Sequence, residues 1–318
     1  MNGRIANRIA PPLHRRPFKD RTADGGLVYH TTMRTVVALL VCVLAQAQDF
    51  SNIKVEKVSA GHQFTEGPAW SREGFLLFSD VPADKIHRLV PGKGVDVFRA
   101  DSHGANGNTF DTKGRLYTCE SRTRRVTRTD RNGKIEVLGE RWEGKRLNAP
   151  NDIVVRRDGH IYFTDPAFGN QADTRELDFY GVYHISPKGE MELIAKPSGR
   201  PNGIGLSPDG KILYVANSDE RNLRAYEVDR RGAVSGERVL ISGIDGVPDG
   251  ITVDEKGNIY ITAKGVAVYT PEGKLLETIE IAERPTNCTF GDPDLMTLYI
   301  TAQTSVYRVR LDVRGAVP

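Results

Sequence analysis

Beyond residue 60 the chain alternates short apolar-aromatic runs with glycine-marked polar turns, and one such unit recurs. A glycine opens each copy: Gly74-Phe-Leu-Leu-Phe-Ser, Gly114-Arg-Leu-Tyr-Thr, Gly159-His-Ile-Tyr-Phe-Thr, Gly210-Lys-Ile-Leu-Tyr-Val and Gly257-Asn-Ile-Tyr-Ile-Thr. A sixth copy, Thr297-Leu-Tyr-Ile-Thr, keeps the strand but has Met296 where the glycine would fall. Runs rich in Tyr, Ile and Leu, bounded by Asp-Gly or Lys-Gly, are strands joined by hairpin turns. Successive copies start 40, 45, 51, 47 and about 40 residues apart, the length of one four-stranded propeller blade. The pattern therefore predicts an all-β, six-bladed β-propeller with four-stranded antiparallel blades, formed by residues 49–318 as a single domain. Further strands are expected at Val182–Ile185, Leu223–Val228 and Val266–Tyr269. The segment Ile53–Val58 has no partner of its own and is expected to complete the last blade, closing the ring and leaving few free edges. A β-sandwich is the alternative, which six copies at blade spacing disfavour.

Eight residues before each turn glycine stands a polar residue: Glu66, Asn106, Asn151, Asn202 and Asp249. In the sixth repeat Asn287 lies eight residues before Leu295. A fixed offset in every blade means a fixed radius and height, so the six side chains are expected to converge on one mouth of the central channel. Two carboxylates and several amide oxygens are hard ligands, suited to Ca2+, Mg2+ or Mn2+. Bringing Glu66 and Asp249 together without a cation is costly by like-charge repulsion. The competing explanation is turn chemistry, since Asn-Gly and Asp-Gly are common hairpin turns. It leaves unexplained why Glu66, a poor turn residue, occupies the same slot.

Charge changes the picture only at the N-terminus. Residues 1–48 hold seven Lys/Arg and two Asp/Glu, a net of +5 within a chain of +3, so the remainder carries −2. That body has no electrostatic footprint for nucleic acid. Met33-Arg34-Thr35, the apolar run Val36–Leu44 and Ala45-Gln46-Ala47 follow the order of a secretory signal. Residues 33–47 are accordingly expected to be a signal peptide cleaved near Ala47, with 1–32 an over-extended, disordered start. The protein is then exported, periplasmic or secreted. The apolar run is too short to span a bilayer, and no membrane span is expected in the mature chain. Of the cysteines beyond the leader, Cys119 and Cys288 belong to different repeats and are expected to be free and buried. A closed propeller is expected to be a monomer.

From about Glu66 to Leu311 the chain resembles the family of senescence marker protein, gluconolactonase and luciferin-regenerating enzyme. The resemblance is carried by Glu66-Gly-Pro-Ala-Trp70, Leu77-Phe-Ser-Asp80, Ala105-Asn-Gly-Asn-Thr109 and Leu147-Asn-Ala-Pro-Asn-Asp152. It continues through Tyr162-Phe-Thr-Asp-Pro166, Pro201-Asn-Gly203, Ser207-Pro-Asp-Gly210, Asp249-Gly250 and Pro285-Thr-Asn-Cys288. The bacterial gluconolactonase branch is the most similar, through Arg124-Arg-Val-Thr-Arg128 and Glu143-Gly-Lys-Arg-Leu147. The resemblance implies one divalent metal, Ca2+ first and Mg2+, Mn2+ or Zn2+ as alternatives, on Glu66, Asn151, Asn202 and Asp249. Asn106 and Asn287 are left as substrate contacts. Animal-type members have Arg two residues before the Asn-Asp pair, where this chain has Ala149, so their substrate recognition does not transfer.

The reaction implied is metal-dependent opening of a sugar lactone, with Asp249 as general base toward a metal-activated water. His103, Glu120 and Arg146 are further candidates for substrate binding, against the plainer reading of solvated loop and blade-edge residues. Arg124 is a candidate of the same kind. Asp165 starts a turn, and Asp152 is expected to point away from the ring and support the inner strand. Neither a Gly-x-Ser-x-Gly elbow nor a zincin His pair is present, which disfavours a serine hydrolase or zinc peptidase. Two alternatives stay open: a metal-dependent phosphoester or fluorophosphate hydrolase, and a non-catalytic, metal-stabilised binding propeller.

Overall fold

The second strand of every blade is walled in on both sides, which is why it reads as an uninterrupted apolar run rather than an alternation. Leu116–Glu120, Ile161–Asp165, Ile259–Thr262 and Thr297–Ala302 are buried at every position. The outermost strands are the reverse, and Gly94–Ala100 is exposed along almost its whole length. The structure, a computed structural model, describes residue 50 and residues 52–317. The expected over-extended start and the signal segment 33–47 lie outside the described residues. Among the described residues no helix is long and apolar enough to cross a membrane.

Six four-stranded antiparallel sheets follow one another along the chain. Blade 1 is built from Thr65–Ser71, Phe75–Asp80, Lys85–Val90 and Gly94–Ala100, running from the innermost strand outward. Blade 2 follows with Ala105–Phe110, Leu116–Glu120, Arg125–Thr129 and Ile135–Gly139. Blade 3 comprises Ile153–Val155, Ile161–Asp165, Gly181–Ile185 and Met191–Ala195. Blade 4 has Pro201–Leu206, Ile212–Asn217, Asn222–Val228 and Val234–Ser242. Blade 5 has Ile251–Val253, Ile259–Thr262, Val266–Tyr269 and Leu275–Ile279. Blade 6 takes Pro285–Gly291, Thr297–Ala302 and Ser305–Arg310 from the C-terminal end, and its outermost strand is Val55–Ala60. Val55 pairs with Val309 and Ala60 with Ser305, so the N-terminal strand closes the circle as its lack of a local partner required.

The apolar core lies between blades. Tyr260, Val266 and Val268 of blade 5 pack with Phe290, Leu298, Ile300 and Val309 of blade 6. Tyr162, Val182, Leu213 and Tyr226 do the same for blades 3 and 4. Each fully buried side chain of this size contributes about 2 kcal/mol. Cys119 and Cys288 are unpaired and buried in this core, and burial pushes both thiols up.

One turn geometry repeats six times. Gly74, Gly114, Gly159, Gly210 and Gly257 have φ between 66° and 96°, a region glycine enters without steric cost. In blade 6 the equivalent is Leu295, with φ 56°. Its amide donates to Asp292 O at 2.9 Å, as Gly257 N does to Asp254 O. The left-handed residue of the sixth turn is thus Leu295 rather than Met296.

Candidate metal and active site

The six offset residues lie at the beginning of the innermost strands, not in hairpin turns. Glu66, Asn106, Asn202 and Asn287 are within those strands, while Asn151 and Asp249 stand two residues before theirs. A glycine follows four of them, Gly67, Gly107, Gly203 and Gly250, and serves close approach of neighbouring blades. Gly107 N donates to Asn151 O at 2.7 Å, and Gly203 N to Asp249 O at 2.8 Å. A Cβ at residue 203 would stand 2.1 Å from that carbonyl oxygen.

Hydroxyls join five of the six seams between blades. Ser79 Oγ donates to Asn106 O, Thr164 Oγ1 to Asn202 O, Ser218 Oγ to Pro248 O and Thr262 Oγ1 to Thr286 O, all within 2.7–2.8 Å. Thr286 Oγ1 then donates to Thr65 O at 2.7 Å. Each bond joins one blade to the segment carrying the next blade's ring residue. The ring is therefore held by backbone carbonyls, leaving its side chains free to face the axis.

Glu66, Asn151, Asn202 and Asp249 are all buried. Asn202 donates to Ser218 Oγ at 3.1 Å, and its amide favours the ionised form of Asp249. The Asn151 amide has no hydrogen-bond partner among the described residues. Burial, and after it the charges of Asp249 and Asp152, hold the Glu66 carboxyl well above the ordinary carboxylate range. Burial likewise raises Asp249; Arg284 opposes that rise and the Asp152 charge reinforces it. Arg284 Nη1 lies 3.6 Å from Asp249 Oδ2, with 41% of its side chain exposed. Carboxylates crowded out of water with one half-exposed guanidinium beside them are short of positive charge. Oxygen donors in that state suit a hard divalent cation, so the residues fit the implied group.

Asp152 supports the inner strands as expected, accepting from Ile153 N at 3.0 Å and Ile204 N at 3.2 Å. Its charge nevertheless acts on both Glu66 and Asp249. Burial lifts its own pKa to about 6. Asn287 donates to Asp152 Oδ2 at 3.4 Å and its Oδ1 accepts from Cys288 N, so it belongs to this inner group. Behind it the channel widens into a cavity of about 640 Å³ lined by Asn108, Asp152, Ile204, Ile251 and Cys288. That cavity opens between the turns at Gly74, Gly114 and Leu295, the strand ends away from the ring.

The remaining candidates separate. Asn106 is half-buried in blade 2, with its backbone carbonyl engaged and its side-chain amide without a partner among the described residues. His103 is half-buried at φ 59° in the turn before blade 2, where its carbonyl accepts from Arg122 N. Glu120 is fully buried and turned into blade 2, accepting from Arg125 Nε at 2.6 Å and Thr127 Oγ1 at 3.0 Å. Its alternation on a strand buried on both faces decides that direction. Arg146 is exposed on the hairpin Arg141–Trp142/Lys145–Arg146 and pairs with Glu176. Asp165 accepts from Asn148 N and Ala149 N, both at 2.8 Å, fixing the loop that presents Asn151. Arg124 Nη2 reaches Thr174 Oγ1, tying the 3-10 turn Gly169–Thr174 to blade 2. Sequence reasoning missed Arg284, whose only signal was a cation one residue before the sixth blade.

Residues 64–304 match the model of the SMP-30/Gluconolactonase/LRE-like region. A gluconolactonase of Zymomonas mobilis is 33% identical over 293 residues, covering 82% of each chain. A pentonolactonase of Haloferax volcanii is 28% identical over 74% of this chain and 80% of its own. The solved structure of a gluconolactonase from Xanthomonas campestris superposes with a TM-score of 0.77 at 33% identity, over 82% of this chain and 90% of that one. With its six blades, its inner ring and this likeness along the body, the chain belongs to the SMP-30/gluconolactonase/LRE-like family.

Proposed function

We propose that this protein is a metal-dependent hydrolase that opens a sugar lactone of the gluconolactone type to its hydroxy acid. The observation that carries the reading is the buried group of Glu66, Asn202 and Asp249, whose carboxylates act on each other. The names of its relatives support the substrate class. Glu66, Asn151, Asn202 and Asp249 would hold a divalent cation, Ca2+ by the hardness of the donors, whose charge polarises the lactone carbonyl.

Asp249 is the general base. Its carboxylate takes a proton from the attacking water as the C–O bond forms, and returns it to the ring oxygen that leaves. Arg284 offsets the charge on Asp249 while that group is ionised. Glu66 would carry the second negative charge of the ring, balanced by the cation. The side chains of Asn106 and His103, half-buried at the start of blade 2, suit the hydroxyls of a polyol chain, whereas Glu120 and Arg146 are committed to protein partners.

Asp249→Asn tests the assignment. Gluconolactone hydrolysis, followed by proton release, is expected to fall by at least ~10²-fold, the scale of general-base catalysis, with the melting curve intact. Chelation should abolish turnover and Ca2+ restore it. Unchanged kcat in the variant removes Asp249 as base. A chelator effect on melting alone, with no lactone or phosphoester turnover, would instead make the ion a tie between blades.

A further inference from the structure

A second cluster of ligating groups lies outside the ring, at the seam where the circle closes. We propose that His62, Asp80 and His87 form a metal site for a transition-metal dication of the Zn2+ class. One ring nitrogen of each histidine and one Asp80 oxygen lie within 4.8 Å of one another. His62 Nδ1 is 3.8 Å from Asp80 Oδ2, and their side chains are only 10% and 4% exposed. Two imidazoles and a carboxylate form a set that takes zinc and its neighbours, leaving a position for water.

The surroundings orient these groups as metal ligands are commonly oriented. A ligating histidine has its other ring nitrogen engaged by an oxygen, which fixes tautomer and direction. His62 Nε2 lies 2.7 Å from Ser59 Oγ, and the Asp96 backbone lies beside the His87 ring. Phe78 lies edge-on to His62 and stacked on His87, with centroids 4.9 and 5.2 Å away. Asp80 is held by Gln63 N and Phe64 N, and a carboxylate oxygen retains a lone pair beyond each such bond. Both imidazoles are kept below their ordinary pKa, chiefly by burial, which favours the neutral ligating form. Ligands bound at about 2.0–2.1 Å sit about 3.3 Å apart, so the 3.8 Å pair needs only a small closure.

The position gives the site a purpose. Ser59 is on the strand that completes blade 6, whereas Asp80 and His87 are on blade 1. His62 lies on the connection between them, three residues before the innermost strand that carries Glu66. An ion there joins the closing strand to the first blade and fixes the approach to the ring.

The test is zinc binding by the full folded protein, stripped with chelator, with Ca2+ in excess to occupy the ring. Wild type is expected to take up one equivalent of Zn2+. The double variant His62→Gln/His87→Gln should lose that equivalent, or bind it at least about tenfold more weakly, with lactone turnover within twofold. Asp249→Asn should retain it. Should the double variant not fold, imidazole 15N spectra of wild type decide: Zn2+ must shift the ring nitrogens of two histidines together. No uptake, no imidazole shift, or the same stoichiometry in a folded double variant would overturn the proposal and leave a neutral packing cluster.

Discussion

Gly203→Ala is the sharpest probe of how the ring is built. Residue 203 is on the innermost strand of blade 4 and needs no left-handed backbone, so the effect of a methyl is one of space alone. That methyl would stand 2.1 Å from Asp249 O and 2.8 Å from Gly250 carbons. Backbone atoms cannot yield as a flexible side chain does, so blades 4 and 5 must separate by about 1 Å. The bond from Gly203 N to Asp249 O, 2.8 Å long, is lost, costing ~1 kcal/mol. Overpacking adds ~1–3 kcal/mol, and the smaller entropy of the unfolded alanine chain offsets about 0.4–1 kcal/mol. The net is about 1–3 kcal/mol, or a melting temperature lower by about 2–6 °C for a body of this size. Turnover should suffer more than stability, because a catalytic group displaced by about 1 Å can lose ~10²-fold in rate. Thermal melts and lactone kinetics on the same preparation check both numbers. A variant that melts within 1 °C of wild type and keeps half its turnover would refute the close approach of the inner strands.

Other outcomes follow from particular contacts. Glu120→Ala should destabilise by ~3 kcal/mol, because it strands Arg125 and partly buried Arg99 without their carboxylate, with KM for the lactone unchanged; a raised KM would restore Glu120 to the substrate. His160 Nδ1 and His184 Nε2, 2.7 Å apart, share one proton, and burial lowers both pKa values. A depressed folded pKa means stability present above about 6.5 and lost as pH falls through the folded value. Melting temperature should accordingly decline on acidification below about pH 6.5, with a shallower slope in His184→Phe; equal slopes would exclude the pair as the cause.

The circular order of blades was legible because its signal is covalent spacing: a strand between two neighbours must be apolar on both faces, and it recurs once per blade. The outer strands were not legible, since Gly94–Ala100 faces water and carries no such constraint. The offset from Asn287 marked Leu295 as the sixth turn position, but its left-handed backbone was not legible, because a turn held by its own hydrogen bond and its flanking strands can impose that conformation on a side chain that disfavours it.

What the sequence by itself determined is the blade count, the closing role of the N-terminal strand and the six positions of the ring, all consequences of period and offset along one chain. Direction and company were decided only in three dimensions. Glu120 and Asp165 are polar residues at second-strand ends much like ring candidates, yet one turns into its blade and the other clasps a loop. Asp152 joins Glu66 and Asp249, and Arg284 stands over Asp249, across separations of 35 to 97 residues. Local pattern specifies where a side chain sits on its strand; which charges it must face depends on neighbouring blades meeting at the axis, and that meeting is a property of the closed ring.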